Sequence, residues 1–233
     1  MAYYDKDLNP VLEKANDDDL LPLVDYMIGK LSNAIDTDER YKANPKKPTE
    51  YVDLLADEIR LFGGNTFANL VRGEGVSYKE VVCDVADKLK VSYNKSSTIE
   101  RIETLIIQKI FEDSLEKMSD EEKASVMKEL GIKDIPVGAS ATIIMQAIIK
   151  MGGFASYKIA VIVANAIAKF LLGRGLSLAA NAALTKALSV FAGPIGWVVS
   201  GVWMALDIAG PSYKVTIPCV VHVAMLRLKQ QNA

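Results

Sequence analysis

The chain changes character at Gly131-Ile-Lys-Asp-Ile-Pro-Val-Gly138. Residues 1–136 hold 19 Lys and Arg against 28 Asp and Glu, a net charge of −9, whereas residues 137–233 hold 8 against 1, a net charge of +7. From 137 to 226, 58 of the 90 residues are apolar and only 7 are charged. An acidic half is therefore joined to a basic and very apolar half, and the Gly- and Pro-containing stretch is the expected hinge.

Working outward towards the N-terminus, the acidic half has the spacing of amphipathic helices. Asp17, Asp18 and Asp19 precede apolar residues at three- and four-residue intervals, so we interpret them as charges at a helix N-terminus rather than metal ligands. The stretch from Asp36 to Thr49 is predicted to be a loop, followed by a helix to Leu61. Three further helix starts are indicated by Ser-x-x-Glu capping boxes at Ser77/Glu80, Ser97/Glu100 and Ser119/Glu122.

The apolar half is predicted to form four helices at about 139–151, 154–172, 176–191 and 194–209, because glycines separate these stretches. Residues 187–206 carry no charge over 20 positions, but Gly193-Pro194-Ile195-Gly196 interrupts them, which favours a hydrophobic hairpin over one straight transmembrane span. Lys214 to Ile217 is expected to be extended, with Pro218 in the first turn of a last helix that reaches Lys229.

Narrow polar stripes mark the apolar helices. They are Thr142, Gln146 and Lys150; Lys158, Asn165 and Lys169; and Ser177, Asn181, Thr185 and Ser189. Such a stripe suits a helix that is packed on most sides with one wet edge, and it also suits a helix lying in a membrane interface with Lys near anionic head groups. The predicted contacts with a membrane or an apolar partner are Ile195, Trp197, Trp203, Lys158 and Lys169.

These patterns predict an all-α fold. We expect a multi-helix bundle with an acidic N-terminal helical part and an apolar, Ala/Gly-rich C-terminal part with a central hydrophobic hairpin. The predicted units are a short helical module at 1–35, an acidic helical region at 49–135 and the apolar, basic region at 137–233.

No pattern of catalytic, metal or cofactor chemistry stands out. His222 is alone on an apolar stretch without the companions that zinc needs, and Cys83 and Cys219 are interpreted as reduced packing residues. The isolated lysines of the basic half argue against a nucleic-acid partner. The N-terminal sequence lacks the features of a secretory signal, so we expect a cytoplasmic protein, peripheral at the inner membrane if it binds one.

The densest glycine-rich segment runs from Phe62 to Gly75. Its backbone offers amides to an anion, with Arg72 beside them, and it fits equally well two helix ends with a short helix between, held by Asn69 and Arg72.

Two long stretches carry a family resemblance. Residues 59–91, which contain Asn69-Leu-Val-Arg-Gly-Glu-Gly75, and residues 207–227, which contain Tyr213-Lys-Val-Thr-Ile-Pro-Cys219, resemble the YaaW-like family of uncharacterised bacterial proteins. The opening Tyr4-Asp-Lys-Asp-Leu-Asn-Pro10 is similar to the family's N-terminal module. Related sequences have been grouped under a ubiquinol–cytochrome c chaperone label, which implies a helical, non-enzymatic assembly factor. The candidate functional surface on these motifs is Asn69, Arg72, Tyr213, Lys214 and Thr216.

Three functions are consistent with the sequence. The leading hypothesis is a non-enzymatic, chaperone-like protein whose apolar half engages an anionic membrane surface or the apolar helices of a membrane-protein partner. The rival is a soluble helical scaffold whose apolar core stays permanently buried. The third is small-molecule or nucleotide binding at the 62–75 loop.

Overall fold

A computed structural model of the protein describes residues 3–29, 34–64, 75–133, 135–177, 194–195 and 212–232. This part of the chain contains ten α-helices, two 3-10 turns at Ile35–Thr37 and Pro48–Tyr51, and no strand. The helices are α1 (Asn9–Glu13), α2 (Asp17–Met27), α3 (Glu39–Ala43), α4 (Val52–Leu61), α5 (Tyr78–Lys88), α6 (Ile99–Leu115), α7 (Asp120–Leu130), α8 (Ala141–Lys150), α9 (Gly153–Leu172) and α10 (Tyr213–Gln231). The predicted all-α fold is confirmed.

Side-chain caps fix most of the helix starts. Ser119 and Glu122 form the predicted reciprocal capping box of α7, and Ser77 Oγ accepts the Glu80 amide at the start of α5. The prediction for α6 is wrong by one residue, because Thr98 rather than Ser97 is its N-cap. Adjacent Ser and Thr are comparable caps, and packing of the helix decides between them.

The predicted loop at 36–49 is partly helical. Asp38 accepts hydrogen bonds from the Arg40 and Tyr41 amides and so starts α3. The Tyr41 ring meets the buried Tyr51 ring edge-on at a centroid distance of 5.8 Å. A local aspartate cap and one aromatic contact therefore turn a polar stretch into a short helix.

Helix α10 lies at the centre of the fold. Every residue from Val215 to Leu226 is buried, and α10 packs against α9, α2, α6, α5 and α1. The expectation of an extended Lys214–Ile217 with Pro218 in the first turn is wrong, because the helix begins at Tyr213 and Pro218 lies inside it. Burial on all sides outweighs the single backbone hydrogen bond that proline removes.

Helices α8 and α9 form an outer layer and an inner layer of the apolar half. In α8 the polar stripe of Thr142, Gln146 and Lys150 is exposed as predicted, while the opposite face packs on α6 and α9. In α9 the same prediction is wrong for Asn165, which is buried with its Oδ1 2.8 Å from the Leu176 amide that it accepts. Asn165 therefore fixes the segment that follows α9 by a hydrogen bond and does not contribute to a solvent-exposed stripe.

Both halves contribute to one hydrophobic cluster, which runs from Leu8 to Leu226. At the expected hinge, Gly131 ends α7 in the left-handed conformation and Gly138 has a φ of 82°. The predicted helices 176–191 and 194–209, with their hairpin, lie outside the described residues except at 176–177 and 194–195. Within the described residues, α9 is the one helix long and apolar enough to cross a membrane, and most of it is buried, as in the core helix of a soluble protein.

Candidate functional site

An exposed apolar cluster lies where α8 turns into α9. Ser140 caps the start of α8, and Gly152, with a φ of 84°, allows the sharp turn into α9. Around that turn Ile149 is 51% exposed, Met151 47% and Phe154 62%. We call residues 149–158 the α8–α9 corner. Large apolar side chains grouped at the surface in this way are typical of a contact site for a membrane or a partner.

Two lysines accompany the apolar side chains of the corner. Lys150 is exposed at the end of α8, and Lys158 Nζ lies 5.0 Å from the centroid of the Phe154 ring. Neither lysine forms an ion pair with any described carboxylate. The sequence from 137 to 177 contains no Asp or Glu. The corner is therefore both apolar and positively charged.

Three other cations of the basic half are paired with acids of the acidic half. The pairs are Lys229 with Asp19, Arg227 with Glu103, and Arg174 with Asp25. Lys229 Nζ lies 2.7 Å from both oxygens of Asp19. Lys150 and Lys158 differ from these three cations, because no described carboxylate lies close enough to either lysine to form an ion pair.

A buried polar network fixes α10 against α5 and α6. Glu103 accepts hydrogen bonds from Arg227 Nε and from the Tyr78 hydroxyl, each at 2.7 Å. Arg227 also donates to the Asp7 carbonyl oxygen at 2.6 Å. Burial raises the pKa of Glu103, and the Arg227 guanidinium opposes that rise. Every polar group here has an internal partner, so the network is structural and offers no open reactive group.

The two motifs that carry the family resemblance meet in space. The Ser212 amide donates to the Phe62 carbonyl oxygen at 3.0 Å, and Lys88 Nζ lies 5.3 Å from the centroid of the Tyr213 ring. The Gly64 amide donates to Asp84 at 3.0 Å. The chain at the end of α4, the second half of α5 and the start of α10 are thus held together, and we call this contact between Phe62, Gly64, Asp84, Lys88 and Ser212–Tyr213 the motif junction.

The structure describes three members of the predicted functional surface. Tyr213 is half-buried, Lys214 is exposed, and Thr216 is buried with no hydrogen-bond partner for its Oγ1. Asn69 and Arg72 lie outside the described residues, as does most of the 62–75 loop considered for ligand binding. Tyr213 and Lys214 stand at the motif junction, whereas Thr216 faces the core.

Of the three predicted membrane contacts that the structure describes, one lies at the α8–α9 corner. Ile195 is fully buried, Lys158 is half-buried at the corner, and Lys169 is exposed near the far end of α9. Trp197 and Trp203 lie outside the described residues. The sequence reasoning missed Ile149, Met151 and Phe154, since Gly152-Gly153 was interpreted only as a helix break. The large apolar residues on both sides of this break were the feature of the sequence that could have indicated an exposed apolar turn.

His222 and the cysteines behave as packing residues. His222 Nε2 lies 2.7 Å from the Asp19 carbonyl oxygen and donates to it, while burial lowers the pKa of His222 to about 4 and keeps the ring neutral. Cys219 is buried and free, and Cys83 is half-buried and free. Within the part of the chain that the structure describes, no group of His, Cys, Asp and Glu is arranged to hold a metal ion.

The sequence is similar to those of several bacterial proteins. A UPF0174 protein of Helicobacter pylori is 46% identical over 249 residues, covering 100% of this chain and 95% of that relative. The chain belongs to the YaaW-like UPF0174 family. The UPF0174 protein YaaW of Escherichia coli is 26% identical over 204 residues, covering 85% of this chain and 81% of that relative. No solved structure matches the chain.

A family model described as ubiquinol-cytochrome C chaperone matches residues 49–222 of this UPF0174 protein. The match begins in the 3-10 turn before α4 and ends inside α10. It therefore includes the motif junction, the buried Tyr78 and Glu103, and the α8–α9 corner.

Proposed function

We propose that this protein is a non-enzymatic, chaperone-like factor that works at a membrane surface. The outer face of α8 and the first turns of α9 would contact lipid or the apolar helices of a membrane protein. One observation carries the proposal. Apart from Tyr3 and Tyr4, the exposed large apolar residues of the described chain all fall between 137 and 170, in a stretch without an acidic residue; they are Val137, Ile143, Ile149, Met151, Phe154 and Phe170.

Two further points support a non-enzymatic role with a partner. Two of the buried titratable side chains, Glu103 and His222, each form a hydrogen bond to another part of the helical core. The family model that matches most of the chain is described as a chaperone, which supports a protein partner. A cytoplasmic location, peripheral at the inner membrane, is part of the same proposal.

Flotation of the intact protein with vesicles tests this function. Vesicles of phosphatidylcholine, alone or mixed with phosphatidylglycerol, are centrifuged with the protein through a density gradient at low and high salt. We expect the protein to float with the mixed vesicles at low salt and to float less as salt screens its charges. Absence from the vesicle fraction under every condition would contradict the proposal.

The alternative is a soluble scaffold whose apolar core stays buried. It is favoured by the burial of α9 from Ile159 to Ala168 and by that of Ile195. A protein that is monodisperse without detergent and that never floats with vesicles would support this alternative. Flotation with the mixed vesicles would contradict it.

A further inference from the structure

We infer that the α8–α9 corner is a docking site for the head groups and outer acyl region of an anionic phospholipid bilayer. The inference rests on the proposed function and names its lipid partner and the residues that make the contact. It is built from three features of the corner: its apolar side chains, its unpaired lysines, and its shape as a turn between two helices.

The apolar side chains supply the hydrophobic part of the contact. Ile149, Met151 and Phe154 occur within six residues around the Gly152 turn and are about half exposed to water. Entry into the interface of a bilayer would remove that apolar surface from water, which is favourable in proportion to the area removed. Phe154 is the most exposed of the three and is in the first turn of α9, so it is expected to insert first.

The lysines supply the electrostatic part. Lys150 and Lys158 stand on the two sides of the turn, and a lysine close to an anionic membrane surface contributes about 1 kcal/mol. The first turn of α9 contains no acidic residue, so the positive end of its helix dipole is not neutralised there. Of the acids in α2, Asp19 acts on the neighbouring Tyr157, but both of its oxygens are held by Lys229. Glu112 of α6 contacts α8 at Thr142, at the opposite end of that helix.

The arrangement favours a bilayer over a partner helix or a free anion. A docked helix needs a groove that accepts anchors at i, i+3, i+4 and i+7 along its length. The corner instead carries three apolar side chains on a turn, flanked by two lysines. A free phosphate ion would gain nothing from Ile149, Met151 and Phe154. Apolar side chains beside lysines match the acyl and phosphate layers of an anionic membrane.

Two double variants and two matched controls test the site in the intact protein. Lys150→Gln/Lys158→Gln removes the corner charges, and Lys46→Gln/Lys95→Gln removes two exposed lysines of the acidic half with the same change in net charge. Met151→Ser/Phe154→Ser removes the apolar tip, and Tyr4→Ser removes one exposed aromatic side chain of the acidic half, outside the corner. Binding is titrated with phosphatidylcholine vesicles and with phosphatidylcholine/phosphatidylglycerol vesicles, and circular dichroism checks that each variant is folded.

We expect the corner lysine variant to bind the anionic vesicles about 25-fold more weakly than the wild type, about fivefold for each lysine. The apolar-tip variant should lose about tenfold or more, and both controls should bind as the wild type does. Free phosphate should compete no better than chloride at equal ionic strength.

The outcomes separate this inference from the proposed function. Wild-type protein that binds no vesicles would overturn both. Wild-type protein that binds, with corner variants that bind equally well, would overturn the corner as the docking site and leave membrane association standing. Equal binding to neutral and anionic vesicles would overturn the choice of an anionic lipid.

Discussion

Two buried glutamates are treated differently by the fold. Glu103 accepts hydrogen bonds from Arg227 and Tyr78, so its charge is compensated inside the core. Glu58 is fully buried, and one of its oxygens accepts the Ala34 amide at 3.1 Å, while the other has no partner. A buried carboxylate without a cation holds a proton more readily than one in water.

The pH dependence of stability should report on Glu58. Burial raises its pKa to about 7, with the neighbouring charges of Asp57 and Asp36 acting in the same direction. The folded protein therefore binds this proton more tightly than the unfolded chain does. The stabilisation is fully present below about pH 4.5 and is lost as the pH rises through 7. Glu58→Gln should remove this part of the slope and stabilise the protein at pH 8 by about 3 kcal/mol.

Urea unfolding of wild type and Glu58→Gln from pH 5 to pH 8 measures this difference. Glu116→Gln is the matched control, because Glu116 is exposed and its removal should leave the slope unchanged. If the free energies of unfolding of the wild type and of Glu58→Gln changed with pH in parallel, Glu58 would remain ionised in the folded protein.

At the scale of the helix, the features that depend only on neighbouring residues in the sequence were predicted correctly. The capping box at Ser119 and the exposed stripe of α8 needed only local spacing, and both are confirmed. The start of α10 and the burial of Asn165 could not be predicted, because each depends on packing against helices distant in sequence. The sequence indicated a basic, apolar contact region in the second half. It did not locate the corner, because side-chain exposure depends on which faces α6 and α10 cover.

The close approach of α4 to the chain entering α5 depends on a glycine. A Cβ on Gly75 would lie 2.5 Å from the Arg60 carbonyl carbon and 2.6 Å from the Leu61 nitrogen. Arg60 in turn donates to the carbonyl oxygens of Val76 and Gly75, at 2.9 and 3.2 Å. The backbone must move to admit a methyl group, and the arginine bonds would move with it.

Gly75→Ala should therefore lower the free energy of unfolding by about 1–3 kcal/mol. Gly153→Ala is the matched control: it lies at the start of a helix and a Cβ there would lie 3.7 Å from Asn232 Oδ1, an ordinary contact. The control should be neutral or slightly stabilising. Denaturant unfolding measures both variants. If Gly75→Ala were as stable as Gly153→Ala, the α4 backbone would move to admit the methyl group without a loss of stability.

For the whole molecule, the opposite charges of the two halves act mainly inside the protein. The acidic half covers α10 and pairs with Arg227 and Lys229, so the apolar helices at the centre belong to a core that both halves build. The α8–α9 corner, in contrast, keeps its apolar side chains exposed and its two lysines without an ion pair to any described carboxylate. In the described part of the chain, the charge split therefore corresponds to a core that both halves build, with a basic, apolar corner at its surface, rather than to a soluble half and a membrane half.

A shared core predicts that the two halves unfold together. Cys83 lies in α5 of the acidic half and Cys219 in α10 of the apolar half, and both thiols are free. Because α10 packs on α2, α5, α6 and α9, loss of either half removes the packing of the other. Pulsed thiol labelling across a urea series, resolved by mass spectrometry of the two peptides, should give one midpoint for both cysteines. Labelling without urea provides the baseline that the half-buried Cys83 requires. If Cys83 became reactive at a clearly lower urea concentration than Cys219, the acidic half would unfold separately from α10. The prediction that the two halves unfold together would then be wrong.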